Sequence, residues 1–154
     1  MSGMIQFNTG PMLQSLGRIN GGFVPAMNRA ADRLFNEFME GVVGRTPKPG
    51  DEENVRYIRT GRLLSGWKPA AEAVGVNVTS PRRITEDTRE GVYVSVSTPP
   101  VIERAGQNHV EYAQEVEFPG PHTKQPYYMV EVPRDDLANR DVWHEVVEAE
   151  WKTL

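Results

Sequence analysis

His109, His122 and His144 could gather with Glu111 around a metal ion. Glu111, Glu115 and Glu117, with Asp135 and Asp136, could form a hydrolytic carboxylate pair. His109-Val-Glu111 opens like a zinc-deaminase signature, but that signature is completed by cysteines, and the chain has none. The same absence removes a disulfide framework, thiolate zinc sites and cysteine nucleophiles. It also fits a protein made in a reducing compartment. His109, His122 and His144 stand far apart, so separate surface or capping roles are expected of them. Asp135-Asp136 suits a helix N-terminus, where exposed N–H groups favour negative charge, and the glutamates suit a solvated helix face. No phosphate-binding glycine loop, nucleophile elbow or paired metal-histidine motif occurs. The expectation is a chain with no catalytic site, no metal and no cofactor, a metal- or carboxylate-dependent hydrolase being the enzyme alternative.

The chain must still build a core to position anything. Its 154 residues suit one domain. With 38% hydrophobic and 25% charged residues it reads as globular and polar-leaning. Twelve prolines and fourteen glycines predict many turns. The apolar runs are too short to span a membrane, and no signal peptide is expected from the N-terminus. A net charge of −4 disfavours broad nucleic-acid binding.

The expected fold class is α+β: an N-terminal helix, a small antiparallel β-sheet, short central helices and a C-terminal helix. Residues 1–22 read as a flexible arm, with Met12, Leu13, Leu16 and Ile19 at helical spacing. Residues 23–154 read as the single domain. Met27, Ala30, Ala31, Leu34, Phe35, Phe38 and Val42 form an apolar stripe over 23–43. Residues 44–54 have the composition of a mobile linker, and Asp51-Glu52-Glu53 within it reads as a solvated loop. Thr60 is the expected N-cap of a short helix bearing Leu63, Leu64 and Trp67. Trp67 should occupy the core, Gly61 and Gly66 should mark close approach or an early stop, and Pro69 should end the helix. Val74, Val76 and Val78, then Val92, Val94 and Val96, alternate with polar residues and predict a hairpin. Its tip would carry Arg82, Arg83 and Arg89 and reads first as a solubilising loop, the functional alternative being a basic tip that faces an acidic partner or passing nucleic acid. Residues 101–108 read as irregular, 109–118 as a helix capped by Asn108 with Phe118 turned inward, and 127–132 as a strand. One terminal helix beginning at Pro133 would carry Trp143 and Trp151 on one side, as core or as a docking face.

Three marks occur in fixed order. They are Thr60-Gly61-Arg62-Leu63 with Ser65 and Trp67 behind it, Tyr112-Ala113 followed by Val116-Glu117-Phe118, and Pro126-Tyr127 with Met129 ahead of an acidic terminal helix. Glu117 lies between apolar neighbours, so its carboxylate needs a partner, for which Arg62 or another arginine near the Thr60 helix is the candidate. Tyr112 can bury its ring while its hydroxyl reaches a loop backbone.

The order of these marks over residues 25–152 resembles the neck or tail-completion proteins of tailed bacteriophages, a minor tail component family. There a T-G-x-L-x-x-S helix, a β-hairpin, a Y-A-x-x-V-E-F-G segment and a P-F-M segment precede a C-terminal helix. Pro119 stands where that family has glycine, Tyr127 where it has phenylalanine, Tyr128 adds a residue before Met129, and the approach to Thr60 is longer. The resemblance implies a structural protein that assembles in the host cytoplasm into the virion. It implies a homo-oligomeric ring at the head–tail junction, between the capsid connector or head-completion proteins and the tail terminator or tail tube, with DNA passing through its lumen. Thr60, Gly61, Leu63, Trp67, Tyr112, Ala113, Glu117, Phe118, Pro126 and Met129 would then be architectural, and Arg82, Arg83, Trp143 and Trp151 would be candidates for subunit contact. A soluble adaptor that binds one partner through Trp143 and Trp151 is the alternative among binding proteins.

Overall fold

The computed structural model describes residues 1–10, 22–47, 61–79, 90–98, 100–118 and 127–153. Thr60, Arg82, Arg83, Arg89, His122, Pro126 and most of the 44–54 stretch lie outside them, as do Met12, Leu13, Leu16 and Ile19. The architecture is α+β, a three-stranded antiparallel sheet with helices.

Helix α1, Phe23–Arg45, is the spine. Its apolar side chains recur at helical spacing, and all seven of the expected stripe are buried, with Phe23, Ala26, Met39 and Val43 added. Thr46 ends it. Its N–H and its hydroxyl both donate to the Val42 carbonyl, at 3.0 and 2.7 Å. Pro47 follows, and the residue before a proline is pushed out of helical conformation; Thr46 has ψ 129°.

The sheet runs β1, Ser2–Asn8, then β3, Val101–Asn108, then β2, Gly91–Val96. The expected N-terminal arm is therefore an edge strand over residues 2–8. Gly3 is buried and Ile5 and Phe7 half-buried, while Ser2, Met4, Gln6 and Asn8 are exposed, the period-two pattern of a strand with one covered face. Register aligns Met4, Ala105 and Val94 across the three strands.

The hairpin partner of β2 is β3, not residues 74–79. Val76 and Val78 are buried as their alternation requires. Their backbone is instead committed to closing a helix. Helix α3, Lys68–Ala73, ends with Gly75 at φ +82°. The Val76 N–H donates back to the Ala71 carbonyl at 2.9 Å, a left-handed helix stop that glycine makes without steric cost. Pro69 lies in the first turn of α3, so it starts a helix and does not merely end one, as its missing N–H allows. Helix α2, Arg62–Ser65, precedes it, and the cap position falls on Gly61 at φ +84° instead of on Thr60.

Beyond β3 come helix α4, Ala113–Glu117, helix α5, Glu131–Asn139, and helix α6, Val142–Trp151. The expected 109–118 helix is thus confined to its second half, and Asn108 ends a strand. The expected 127–132 strand is a turn running into α5. The single terminal helix is two, broken at Asp141, which has φ +55°. Asp135 and Asp136 fall inside α5, and Glu131 opens it.

The largest core cluster gathers Phe35, Phe38, Met39 and Val42 of α1 with Leu64, Trp67, Ala70 and Ala71. Trp67 is fully buried. A second cluster joins Phe23 and Met27 to Ile102 of β3, and a third joins Ala30 and Leu34 to Val142 and Val146 of α6. Among the described residues, no helix is long and apolar enough to cross a membrane.

Candidate functional site

Residues from each of the three marks meet in one corner, while Trp67 belongs to the main core and Phe118 faces outward. Leu63 of α2, Val110, Ala113 of α4 and Met129 form a buried cluster, with Tyr112, Val116, Tyr127 and Met1 packed against it.

Asn108 joins this corner to the sheet. Its side-chain amide donates to the Leu63 carbonyl at 2.8 Å, and its carbonyl oxygen accepts the Val110 N–H at 3.1 Å. Gly66 lies directly against that amide, where a Cβ would collide with it. A glycine is needed there for close approach, as the sequence suggested.

Glu117 is 1% exposed. Its partner is not Arg62. Both carboxylate oxygens accept the Val130 N–H at 3.1 Å, and Oε1 accepts the Glu131 N–H at 2.8 Å. These N–H groups belong to the start of α5, which has no intrahelical partner for them. The negative charge also faces the positive end of the helix dipole. The carboxylate of one mark therefore fixes the helix that follows the next. Tyr128, just upstream, takes φ +47°, unusual for a bulky side chain. The Arg45 guanidinium holds this turn by donating to the Tyr127 and Tyr128 carbonyls at 3.0 and 3.2 Å.

Arg62 faces Glu90 and Glu111. Its Nε donates to Glu90 Oε1 at 2.7 Å and its Nη1 to Glu111 Oε1 at 3.3 Å. The Glu90 carboxylate raises the guanidinium pKa above its ordinary value. The guanidinium also lies 5.9 Å from the Tyr112 ring centre. Burial raises the Tyr112 hydroxyl pKa, opposed by the Arg62 charge.

Phe118 does not turn inward. It is 49% exposed, because the chain leaves α4 in an extended conformation at that residue. Trp143 and Trp151 are 52% and 40% exposed. Both flank the side of α6 that packs on α1. The nearby Glu150 is buried and accepts from Arg29 Nε at 2.8 Å.

Among the described residues, the candidates for chemistry do not assemble. His109 is exposed and bonds Gln107, and Glu111 is engaged by Arg62. Asp135 pairs with Arg134 at 3.0 Å and Asp136 with Arg140 at 3.1 Å. Among the described residues, no group of three or more metal-ligating side chains comes together. A cleft of about 300 Å³ lies beside Glu117, lined also by Met1, Phe118 and Arg134; the Glu117 oxygens are occupied by the helix N–H groups.

The sequence missed Asn108 and Arg104 as organising residues. Arg104 is buried in β3. It donates to Asp32 at 2.6 Å and to Asn28 at 2.8 Å on α1, and to the carbonyls of Val96 and Glu103. The available signal was a period-two frame through Ile102, Arg104, Gly106 and Asn108, carried by polar residues. No family model matches the chain, and no solved structure matches it.

Proposed function

We propose that this chain is a non-enzymatic structural protein of a tailed-bacteriophage virion. It is one subunit of a ring at the head–tail junction that joins the capsid connector to the tail and lets DNA through its lumen. The observation that carries the reading is the convergence of the marks. Leu63, Tyr112, Ala113, Glu117 and Met129, on which the resemblance rests, meet in one corner. Residues spread over the sequence in this way, and committed to packing and capping, have an architectural role in common. Further support comes from the carboxylates, since Glu111, Glu117, Asp135 and Asp136 are engaged by arginines or helix N–H groups. A net charge of −4 suits a channel through which DNA slides, because phosphate binding grows with the number of cationic contacts.

The test is the native mass of the purified protein, alone and after mixing with purified phage heads or tails, with electron microscopy of the products. A discrete multimer, or incorporation at the tail-joining end of the head, is the expected result. A monomer that joins neither particle overturns the reading. The exposed Trp143 and Trp151 favour a second reading, an adaptor that binds one partner as a monomer. It predicts saturable binding at one copy per partner and no ring.

A further inference from the structure

We propose that the open edge of strand β1 and the tryptophan stripe of helix α6 form one docking site for an extended, basic arm of a partner protein, which adds a fourth strand to the sheet. The site rests on neither reading of how the chain assembles.

Strand β1 is an edge strand. At its two ends the Asn108 N–H donates to the Met1 carbonyl at 3.2 Å and the Thr9 N–H to the Pro100 carbonyl at 2.6 Å. Bonded and non-bonded pairs alternate along an antiparallel ladder, and the register is unbroken from Ser2 to Asn8. The backbone groups of Gly3, Ile5 and Phe7 are therefore directed at β3, and those of Ser2, Met4, Gln6 and Asn8 point outward. Among the described residues nothing donates to these outward groups or accepts from them. Edge strands are ordinarily guarded by charge, proline or a bulge. The sequence Ser-Gly-Met-Ile-Gln-Phe-Asn of β1 has neither charge nor proline, and its register has no bulge. Such an edge binds another extended backbone.

Helix α6 supplies the floor of the site. Ile5 and Phe7 of β1 and Val147 of α6 pack against the same cluster of Ala30, Leu34, Val142 and Val146. Phe7 and Val147 also share the cluster of Phe23 and Ile102. Among the described residues β2 contributes to neither cluster, so α6 lies on the β1 side of the sheet. Trp143, Val147 and Trp151 recur every four residues, and Val147, the middle one, joins this stripe to the layer beneath β1. The two indoles continue that layer and stay about half open. Trp151 is braced edge-on by the Phe23 ring at 6.1 Å. A strand added about 4.8 Å beyond β1 sets every second side chain toward these indoles.

The site selects its occupant. Pairing along an edge keeps the covered faces of both sheets on one side. A second copy would bring helices beneath its own strands, as Ala70 of α3 and Phe35 of α1 lie here against Gly106 of β3, and those helices would meet the indoles. A lone extended arm carries nothing there. The floor is also acidic. Asp141, Glu145 and Glu148 are exposed along α6, and Lys152, which follows them, is paired with Glu148 at 2.8 Å. An arm with apolar residues at alternate positions, lysine or arginine at its ends and no carboxylate fits both the edge and the floor.

The test titrates the full chain with the synthetic peptide Lys-Thr-Val-Thr-Val-Thr-Val-Thr-Lys and follows each backbone amide by NMR. Saturable binding should slow hydrogen exchange at the Met4 and Gln6 amides and leave the amides of β2 unchanged. Met4→Pro removes an outward donor, a change that edge strands tolerate, and should weaken binding about tenfold or more, the scale of one or two lost hydrogen bonds. The double variant W143A/W151A should weaken it at least as much, as losing interface anchors does. The same peptide with glutamate at both ends should bind more weakly than the lysine form. Near-ultraviolet circular dichroism of the buried Trp67 reports that the variants remain folded, and the exchange pattern in the wild type tests the site without them. No saturable binding at millimolar peptide, protection that falls on β2, or an affinity unchanged in either variant overturns the proposal. Self-association of the chain alone that Met4→Pro abolishes also overturns it, because a second copy would then occupy this edge.

Discussion

Glu117 shows how a single side chain can be read correctly in kind and wrongly in partner. Its apolar neighbours in sequence announce burial, and burial demands compensation. Arginine is the obvious guess because it is the partner visible in a sequence. Backbone N–H groups are invisible there, since every residue carries one, and the helix end that supplies them here begins thirteen residues later. Replacing Glu117 by alanine leaves the Val130 and Glu131 N–H groups buried without acceptors. The expected loss is about 1.5–3 kcal/mol of unfolding free energy in urea titration, the range for hydrogen bonds to a charged group. Glutamine should cost less, because its amide oxygen still accepts. Tyr112 gives a prediction in pH. Its folded-state pKa is raised, chiefly by burial, so the folded form holds its proton more tightly than the unfolded chain does. The resulting stability is fully present below the ordinary tyrosine value of about 10 and is lost as pH rises through the folded value. Denaturant midpoints measured upward from neutral pH should fall in the alkaline range, and Tyr112→Phe should flatten that fall.

At the scale of elements, what could be read depended on whether apolar residues carried the pattern. Helix α1 was legible because its buried side is nearly all apolar and its spacing helical. Strand β3 was not, because the residues it turns toward the helices are Ile102, Arg104, Gly106 and Asn108. Arg104 is tolerated there only because Asp32 and Asn28 meet its guanidinium across the sheet–helix gap. Val76 and Val78 misled in the opposite sense: they are apolar, alternating and buried, but Gly75 spends the local backbone on a helix stop. The corner built by the three marks was legible as a set of residues and not as a place, since nothing in the sequence says that Asn108 ties β3 to Leu63. Trp67 belongs to the legible part. It fills the space between α1 and α3, and among the described residues its indole N–H has no hydrogen-bond acceptor. Trp67→Ala should therefore cost about 3–5 kcal/mol, the range for emptying an aromatic core site. Trp67→Phe should cost distinctly less in the same denaturation experiment, because it keeps most of the packing and deletes a donor with no acceptor among the described residues.

Across the whole molecule, helix α1 is held at its two ends by different partners. Its carboxyl-terminal half packs on Trp67, Ala70 and Ala71. Its amino-terminal half packs on Ile102 and on α6, through Ala30, Leu34, Val142 and Val146. Helix α6 is short, and its apolar anchors are two valines, the flank of Val147 and the Trp151 ring, which meets Phe23 edge-on at 6.1 Å. The Glu150 carboxylate with Arg29 and, at 3.7 Å, Arg33 provides its polar anchor at the C-terminal end. A helix held by so few groups should open before the core does, as cooperative units with small buried area tend to. The substitution that tests this is Glu150→Ala, which removes the polar anchor and leaves both valines in place. Amide hydrogen exchange in α6 should then accelerate, while protection in the carboxyl-terminal half of α1 and around Trp67 stays at the wild-type level. Equal acceleration in both regions would mean that the molecule opens as one unit and that α6 is part of its core.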